Sequence, residues 1–270
     1  MAGLVVSSGM ISRLKRSLAA LRAPAGRVRL GSGVAVALTA GLLGVTAVRA
    51  EPLRAVVELF TSQGCSSCPP ADAALVELAA RPDVVALTLP VDYWDYLGWK
   101  DTLAQPGFTA RQRAYAHLRG DRQVYTPQVI VNGTKPTVES SRTEIDRAIT
   151  GEPGRDGALP VAVGVSERNG IVTVEVSGAT EHQATPVWVL PVRKLQTIEI
   201  SRGENKGRKV TYANVVRAIV RIGEWRGGTE RFEVPLATAQ ADGDGYVVLL
   251  QSTVKTKPGV ILGAAKSAGL

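Results

Sequence analysis

The chain reads as an α/β domain with the element order β-α-β-α-β-β-α over residues 51–150, a linker at 151–157, and an all-β, sandwich-like domain over 158–270. Three observations predict this. Continuous apolar runs alternate with helix-spaced segments up to Gly151. A Gly, Pro and charge-rich stretch, "GEPGRDG", then interrupts the chain at 151–157. Beyond it the texture changes to short alternating runs, "IVTVEV", "PVWVL", "TIEI" and "YVVLL". At 270 residues with 45% hydrophobic content, each half is long enough to bury a core.

Residues 54–60, "RAVVELF", form a continuous apolar run of strand length, and "CPPADAALVELAA" then places Ala74, Leu75, Leu78 and Ala79 at helical spacing. Pro69 falls in the first helical turn, where its missing N–H costs nothing. A second strand follows at 83–93, "DVVALTLPVDY", and a second helix at 109–120, which Thr109 and Gln112 can open as a capping box. In "PQVIVNGTKPTV" two short apolar runs are joined by Asn132-Gly133, a two-residue hairpin signal. Pro136 cannot donate a ladder bond, so its strand belongs at a sheet edge. Ser141 with Glu144 caps a third helix, which carries Ile145, Ala148 and Ile149 on one face and stops at Gly151. In the second half, 203–225 reads either as a hairpin arm before a long strand or as hiding a short helix near 214–220.

The formal charge of +8 is concentrated at the start of the chain. Residues 1–50 hold seven basic groups and no acidic one, which leaves 25 basic against 24 acidic residues from Glu51 onward. This argues against a nucleic-acid partner. Residues 193–226 hold nine basic and three acidic groups, a pattern that fits solvated loops better than a polyanion site. The basic leader, the apolar stretch Leu30 to Val48 and "VRA" before Glu51 have the parts of an export signal, with cleavage expected after Ala50. Met10 is an alternative start. Contact with a membrane is expected only through the leader, if it is retained. The expected location is the periplasm or the exterior, where disulfides persist.

Both cysteines of the chain, Cys65 and Cys68, lie in "ELFTSQGCSSCPPAD", at the junction of the first strand and first helix. A thiolate is the attacking species in disulfide exchange, and the free N–H groups and dipole at a helix N-terminus stabilise one. Cys65 is placed to attack and Cys68, one turn on, to resolve. Thr126 and Pro127 begin the third strand, facing the cysteine loop. A cis bond there turns the Thr126 backbone toward Cys65, where an extended peptide can add as a strand. Glu58 shares a strand face with Val56 and Phe60; a carboxyl buried among them has a raised pKa and can accept the Cys68 proton. Trp94 and Trp99, in the aromatic run "VDYWDYLGWKD", either fill core or wall a site for apolar client side chains.

The Cys-x-x-Cys-Pro after the first strand, the Thr-Pro before the third and the Asn-Gly hairpin resemble the thioredoxin superfamily. "VVELFTSQGCSSCPPAD", "VDYWDYLGWKD", "YTPQVIVNG", "EISRGENKGR" and the closing "ILGAA" more closely resemble the exported bacterial proteins grouped as domain of unknown function 1223. The resemblance implies a thioredoxin-like fold for the first half, Cys65 and Cys68 as a redox-active disulfide pair, and Pro127 as a cis proline. In thioredoxins the buried acid stands six residues before the first cysteine, whereas Glu58 stands seven before Cys65.

Three readings of the pair stay open. The first is a thiol-disulfide oxidoreductase acting on exported client proteins with an unidentified redox partner. The second is a binding module with an inert structural disulfide. The third is a Cu(I) carrier using both thiolates and His117. A zinc site lacks paired ligand spacing, since His117 and His182 stand far apart, and Pro69 replaces the histidine that haem attachment requires. No cofactor and no bound metal are expected.

Overall fold

The first strand forms as β1 (Ala55–Thr61), with all seven residues buried. The computed structural model describes residues 53–137, 141–151, 158–179 and 183–270. The leader, its cleavage point, His182 and most of the linker lie outside the described residues. Helix α1 (Pro69–Ala79) follows with Cys68 as N-cap and Pro69 at its first position. Strand β2 (Val84–Pro90) runs parallel to β1.

Helix α2 (Pro106–Arg119) starts three residues before the expected capping box, because Pro106 takes the favoured first helical position. Thr109 is thereby inside the helix, where its hydroxyl donates to Asp92 Oδ1 at 2.6 Å. Strands β3 (Gln128–Val131) and β4 (Lys135–Pro136) flank the Asn132-Gly133 turn, in which both residues have positive φ. In α3 (Arg142–Thr150) the Ser141 hydroxyl accepts from Glu144 N–H, as the capping motif predicts.

The second half supplies β5 (Ala162–Arg168), β6 (Ile171–Ser177), β7 (Thr185–Glu199), β8 (Lys209–Val216), β9 (Val220–Trp225) and β10 (Thr229–Pro235). A single helical turn, α4 (Leu236–Ala239), precedes β11 (Gly245–Val254) and β12 (Lys257–Lys266). The segment 203–225 is therefore the tip of a β7–β8 hairpin and the strands after it, with no helix near 214–220.

The expected fold class, a thioredoxin-like domain (β-α-β-α-β-β-α) followed by an all-β sandwich-like domain, is corrected by the sheet topology. Among the described residues one large mixed sheet runs β12-β11-β7-β8-β2-β1-β3-β4, with β9 pairing beside β7. Strands of both halves thus share one sheet, joined where β8 lies parallel to β2. Local periodicity shows that a segment is a strand; it does not show which free edge that strand will cover. The smaller sheet, β10-β6-β5, lays Val172, Val174 and Val176 over Val187, Val189, Val248 and Leu250 of the large one.

The two faces of β1 divide the molecule. Ala55, Val57 and Leu59 pack with Ala71, Leu75 and Leu78 of α1 and Ile145 and Ile149 of α3. Val56 and Phe60 pack with Phe108 and Tyr115 of α2 and with Leu190, Val247 and Leu249 of β7 and β11. The strand β4 closes one end of the sheet, and the turn before it meets β12: Ile261 N–H donates to the Asn132 carbonyl at 3.0 Å. Gly133 is required there, since a Cβ would lie 2.3 Å from the Gly259 carbonyl oxygen.

The β2–β8 seam is narrow. Its one register pair, Thr88 with Val215, is reinforced by two buried side-chain bonds: Thr88 Oγ1 donates to Ala213 O at 2.6 Å, and Asn214 Nδ2 donates to Ala86 O at 2.9 Å. Asn214 has φ of 45°, a region that Asn tolerates better than most residues. Asn214→Ala leaves the Ala86 carbonyl unpaired and adds left-handed strain, so it is expected to destabilise the protein by about 2–3 kcal/mol in urea unfolding. Asn214→Gly, which relieves the strain and not the lost bond, is expected to fall between the two.

Candidate functional site

The site forms where β1 ends. Cys65 N–H donates to Ser62 O at 3.1 Å and Cys68 N–H to Cys65 O at 3.2 Å, two tight turns that deliver Cys68 to the N-terminus of α1. Ala71 and Asp72 N–H groups then donate to Cys68 O, starting the helix. Cys65 and Cys68 are joined as a disulfide with Cα atoms 5.4 Å apart. Both are buried, at 2% and 0% exposure, while Ser66 and Ser67 between them are exposed.

Two separate segments hold this loop, the aromatic run 91–101 and the tip of the β7–β8 hairpin. Asp101 Oδ2 accepts from Gln63 N–H at 2.7 Å, and Trp99 Nε1 donates to Gln63 Oε1 at 2.8 Å. Trp94 lies against Gly64, where a Cβ would stand 3.1 Å from its own Cβ. Asn205, at the tip of the β7–β8 hairpin, donates through Nδ2 to both Gln63 O (3.0 Å) and Cys65 O (2.8 Å). These carbonyls of the turn are thus satisfied from the other end of the chain.

The Thr126–Pro127 peptide is cis. Thr126 Oγ1 accepts from Trp94 Nε1 at 2.7 Å, so the Thr-Pro segment and the aromatic run are tied together. A shallow groove of about 510 Å³ is lined by Ser67 and Pro70 of the cysteine turn, by Pro127, and by Ser141 and Arg142 at the start of α3. Beside this region Tyr96, 76% exposed, stacks on Trp94 with ring centroids 6.5 Å apart. The structure therefore gathers Cys65, Cys68, Thr126, Pro127, Trp94 and Trp99 around one turn.

Glu58 is placed elsewhere. It points from the α2 face of β1, away from α1, and both its oxygens are taken: Arg111 Nε donates to Oε1 and the Tyr115 hydroxyl to Oε2, each at 2.7 Å. The expected link to the Cys68 proton is not made, because alternate residues of a strand face opposite sides of its sheet. His117 lies exposed in the last turn of α2, across the sheet from the cysteine helix, so it joins no ligand set with Cys65 and Cys68.

Sequence reasoning passed over Asp72. In the first turn of a helix an aspartate reads as a dipole partner, yet this one is buried. Its Oδ1 accepts from the Thr61 hydroxyl at 2.7 Å, while Oδ2 has no hydrogen-bond partner. Burial pushes the carboxyl up to about 8, against the Thr61 bond, which lowers it, and with a smaller upward contribution from Asp101. Burial also raises the Asp101 carboxyl, despite the N–H groups of Gln63, Leu103 and Ala104 that it accepts. Tyr212 of β8 is held up by burial and then by these two acids. The only signal in the sequence is the four-residue spacing from Cys68 to Asp72, which places them on one helix face.

A family model described as "Protein of unknown function (DUF1223)" matches residues 56–251. The crystal structure of protein AGR_C_4864 from Agrobacterium tumefaciens is 35% identical, covering 82% of this chain and 96% of that one with a TM-score of 0.70. Its likeness spans both halves, as a shared sheet requires. HBP35 of Porphyromonas gingivalis, 13% identical, aligns over 80% of this chain and 75% of its own with a TM-score of 0.52, a likeness of fold. No curated protein matches.

The Asp72 carboxyl makes stability depend on pH. Its pKa is higher folded than unfolded, so the stability it contributes is fully present below the unfolded value of 3.8 and is lost as pH rises through about 8. The loss across that window is on the order of 5 kcal/mol. Asp72→Asn is expected to remove it: thermal unfolding midpoints of variant and wild type should nearly coincide at the acid end and diverge, with the variant higher, toward the alkaline end.

Proposed function

The chain belongs to the DUF1223 family, and from that premise we propose that its Cys65–Cys68 pair exchanges disulfides with other exported proteins. The observation that carries this reading is the disulfide itself, set in a strand-to-helix turn at the head of α1, whose neighbours Ser67 and Pro70 share a groove with Pro127. Helix N–H groups and dipole favour the thiolate on opening. Kinship of this cysteine region with the thioredoxin superfamily is part of the reading; the two-domain architecture is not.

In one direction the reduced Cys65 thiolate attacks a client disulfide, forming a mixed disulfide and releasing one client thiolate. Cys68 then attacks Cys65 Sγ, releasing the second client thiolate and closing the pair. The client gains two electrons and the pair loses two. Thr126-Pro127 orients the client backbone, and Trp94 and Trp99 wall the site for its apolar side chains. The basic and apolar leader directs export, with removal after Ala50, to a periplasmic or extracellular space. An unidentified redox partner resets the pair.

The near-complete burial of both cysteines favours a second reading, a fixed staple in a binding module. Two measurements separate them. Exchange with a model protein disulfide should fall at least ~100-fold in Cys65→Ser, while Cys68→Ser should trap the client as a mixed disulfide on Cys65. A Cys65 thiol pKa above roughly 8.5, together with a very low reduction potential, would overturn the exchange reading in favour of the staple.

A further inference from the structure

We propose that Asp72 is the proton carrier of the pair, delivering a proton to the Cys68 sulfur when the disulfide opens and retrieving it when the disulfide closes. This rests on the exchange reading above. It adds a residue that neither the family description nor the sequence pattern assigns.

The placement is helical. Cys68 caps α1, and Asp72 stands four residues on, with its N–H donating to Cys68 O at 3.1 Å. Side chains four apart share a helix face, so Asp72 follows Cys68 on the inward face of α1, where its carboxyl meets the Thr61 hydroxyl at the end of β1, the strand that leads into the cysteine turn. The side chain is 2% exposed. One oxygen is held by Thr61 and the other is unpartnered, in a region from which water is excluded. The groups that face it are Thr61 from β1, Asp101 from the segment before α2 and Tyr212 from β8; none of them is a cation. An acid in such surroundings is held protonated near neutral pH in the oxidised protein, which is the state in which a proton donor is needed.

The step balances. A client thiolate attacks Cys65 Sγ, and a client–Cys65 bond forms as the Cys65–Cys68 bond breaks. Cys68 sulfur leaves with the bonding pair and takes the proton from Asp72. A second client thiolate then attacks the client sulfur and releases Cys65 as a thiolate. Two client thiols become a disulfide, the pair gains two electrons, and Asp72 regains its proton from solvent. Closing the pair runs the same transfer backward. Glu58 is unsuited to this part, since it faces the other side of the sheet with both oxygens engaged.

The test is the rate at which dithiothreitol opens the disulfide, divided by the thiolate concentration and followed against pH. In wild type the corrected rate constant should fall as pH rises through about 8. In Asp72→Asn it should be lower by about 100-fold at neutral pH and flat with pH, with partial recovery in Asp72→Glu. A folded Asp72→Asn protein with the wild-type rate and profile overturns the role of Asp72 while leaving exchange intact. A wild-type disulfide that opens no faster than one in an unstructured peptide, at any pH, overturns the exchange reading and this role with it. Infrared difference spectra of oxidised and reduced wild type need no variant. A protonated-carboxyl band that changes with redox state supports the role, and its absence over the alkaline titration overturns it.

Discussion

The seam between β2 and β8 is the constraint on which the rest of this structure depends. It is one parallel register pair wide and is completed by side chains: the Thr88 hydroxyl on Ala213 O and the Asn214 amide on Ala86 O. Through it, strands from opposite halves of the chain become neighbours in a single sheet. Through it also, the β7–β8 hairpin lies beside the cysteine turn, with Asn205 on two of its carbonyls and Tyr212 above Asp72. The cysteine site belongs to both halves of the chain.

A second buried network works on the other face. Arg111 binds Glu58, the Tyr115 hydroxyl and Gln251 Oε1, while Gln251 Nε2 donates to Tyr115 and to Gly259 O. This ties α2 to β1, β11 and β12 through one charged cluster. Breaking a buried pair leaves an uncompensated charge, so Glu58 is bound to a structural duty there. The two carboxyls thus hold opposite positions. Glu58 is saturated by donors, whereas Asp72 has one oxygen bonded and one bare. Donor supply, more than burial, separates them, since both are buried.

Much of the first half was legible because its signals are local. Pro69 behind Cys68 marks a helix start, Asn132-Gly133 marks a hairpin turn, and Ser141 with Glu144 marks a cap; each acts within a few residues of chain. The start of α2 was misread by three residues because Pro106 outweighs Thr109 as a helix opener. The gathering of Cys65, Cys68, Thr126 and Trp94 was legible as a set of residues, though not as a set of bonds. Asp72, Asp101 and Asn205 were not, because their importance lies in burial and in partners on other elements, 11 residues away for Asp72 with Thr61 and 38 and 142 residues away for Asp101 and Asn205 with Gln63.

By itself, then, the sequence determined the kinds of element, their order, the turn chemistry and the placing of a cysteine pair at a helix head, because backbone preference and apolar period act over short stretches. Only the tertiary structure decided that the sheet continues through β8, that Glu58 turns away from the α1 face of that sheet, and that Asp72 turns under cover against Thr61. These depend on which free strand edge another strand takes and on which side chains that pairing buries. A strand carries the same apolar pattern whichever edge it covers.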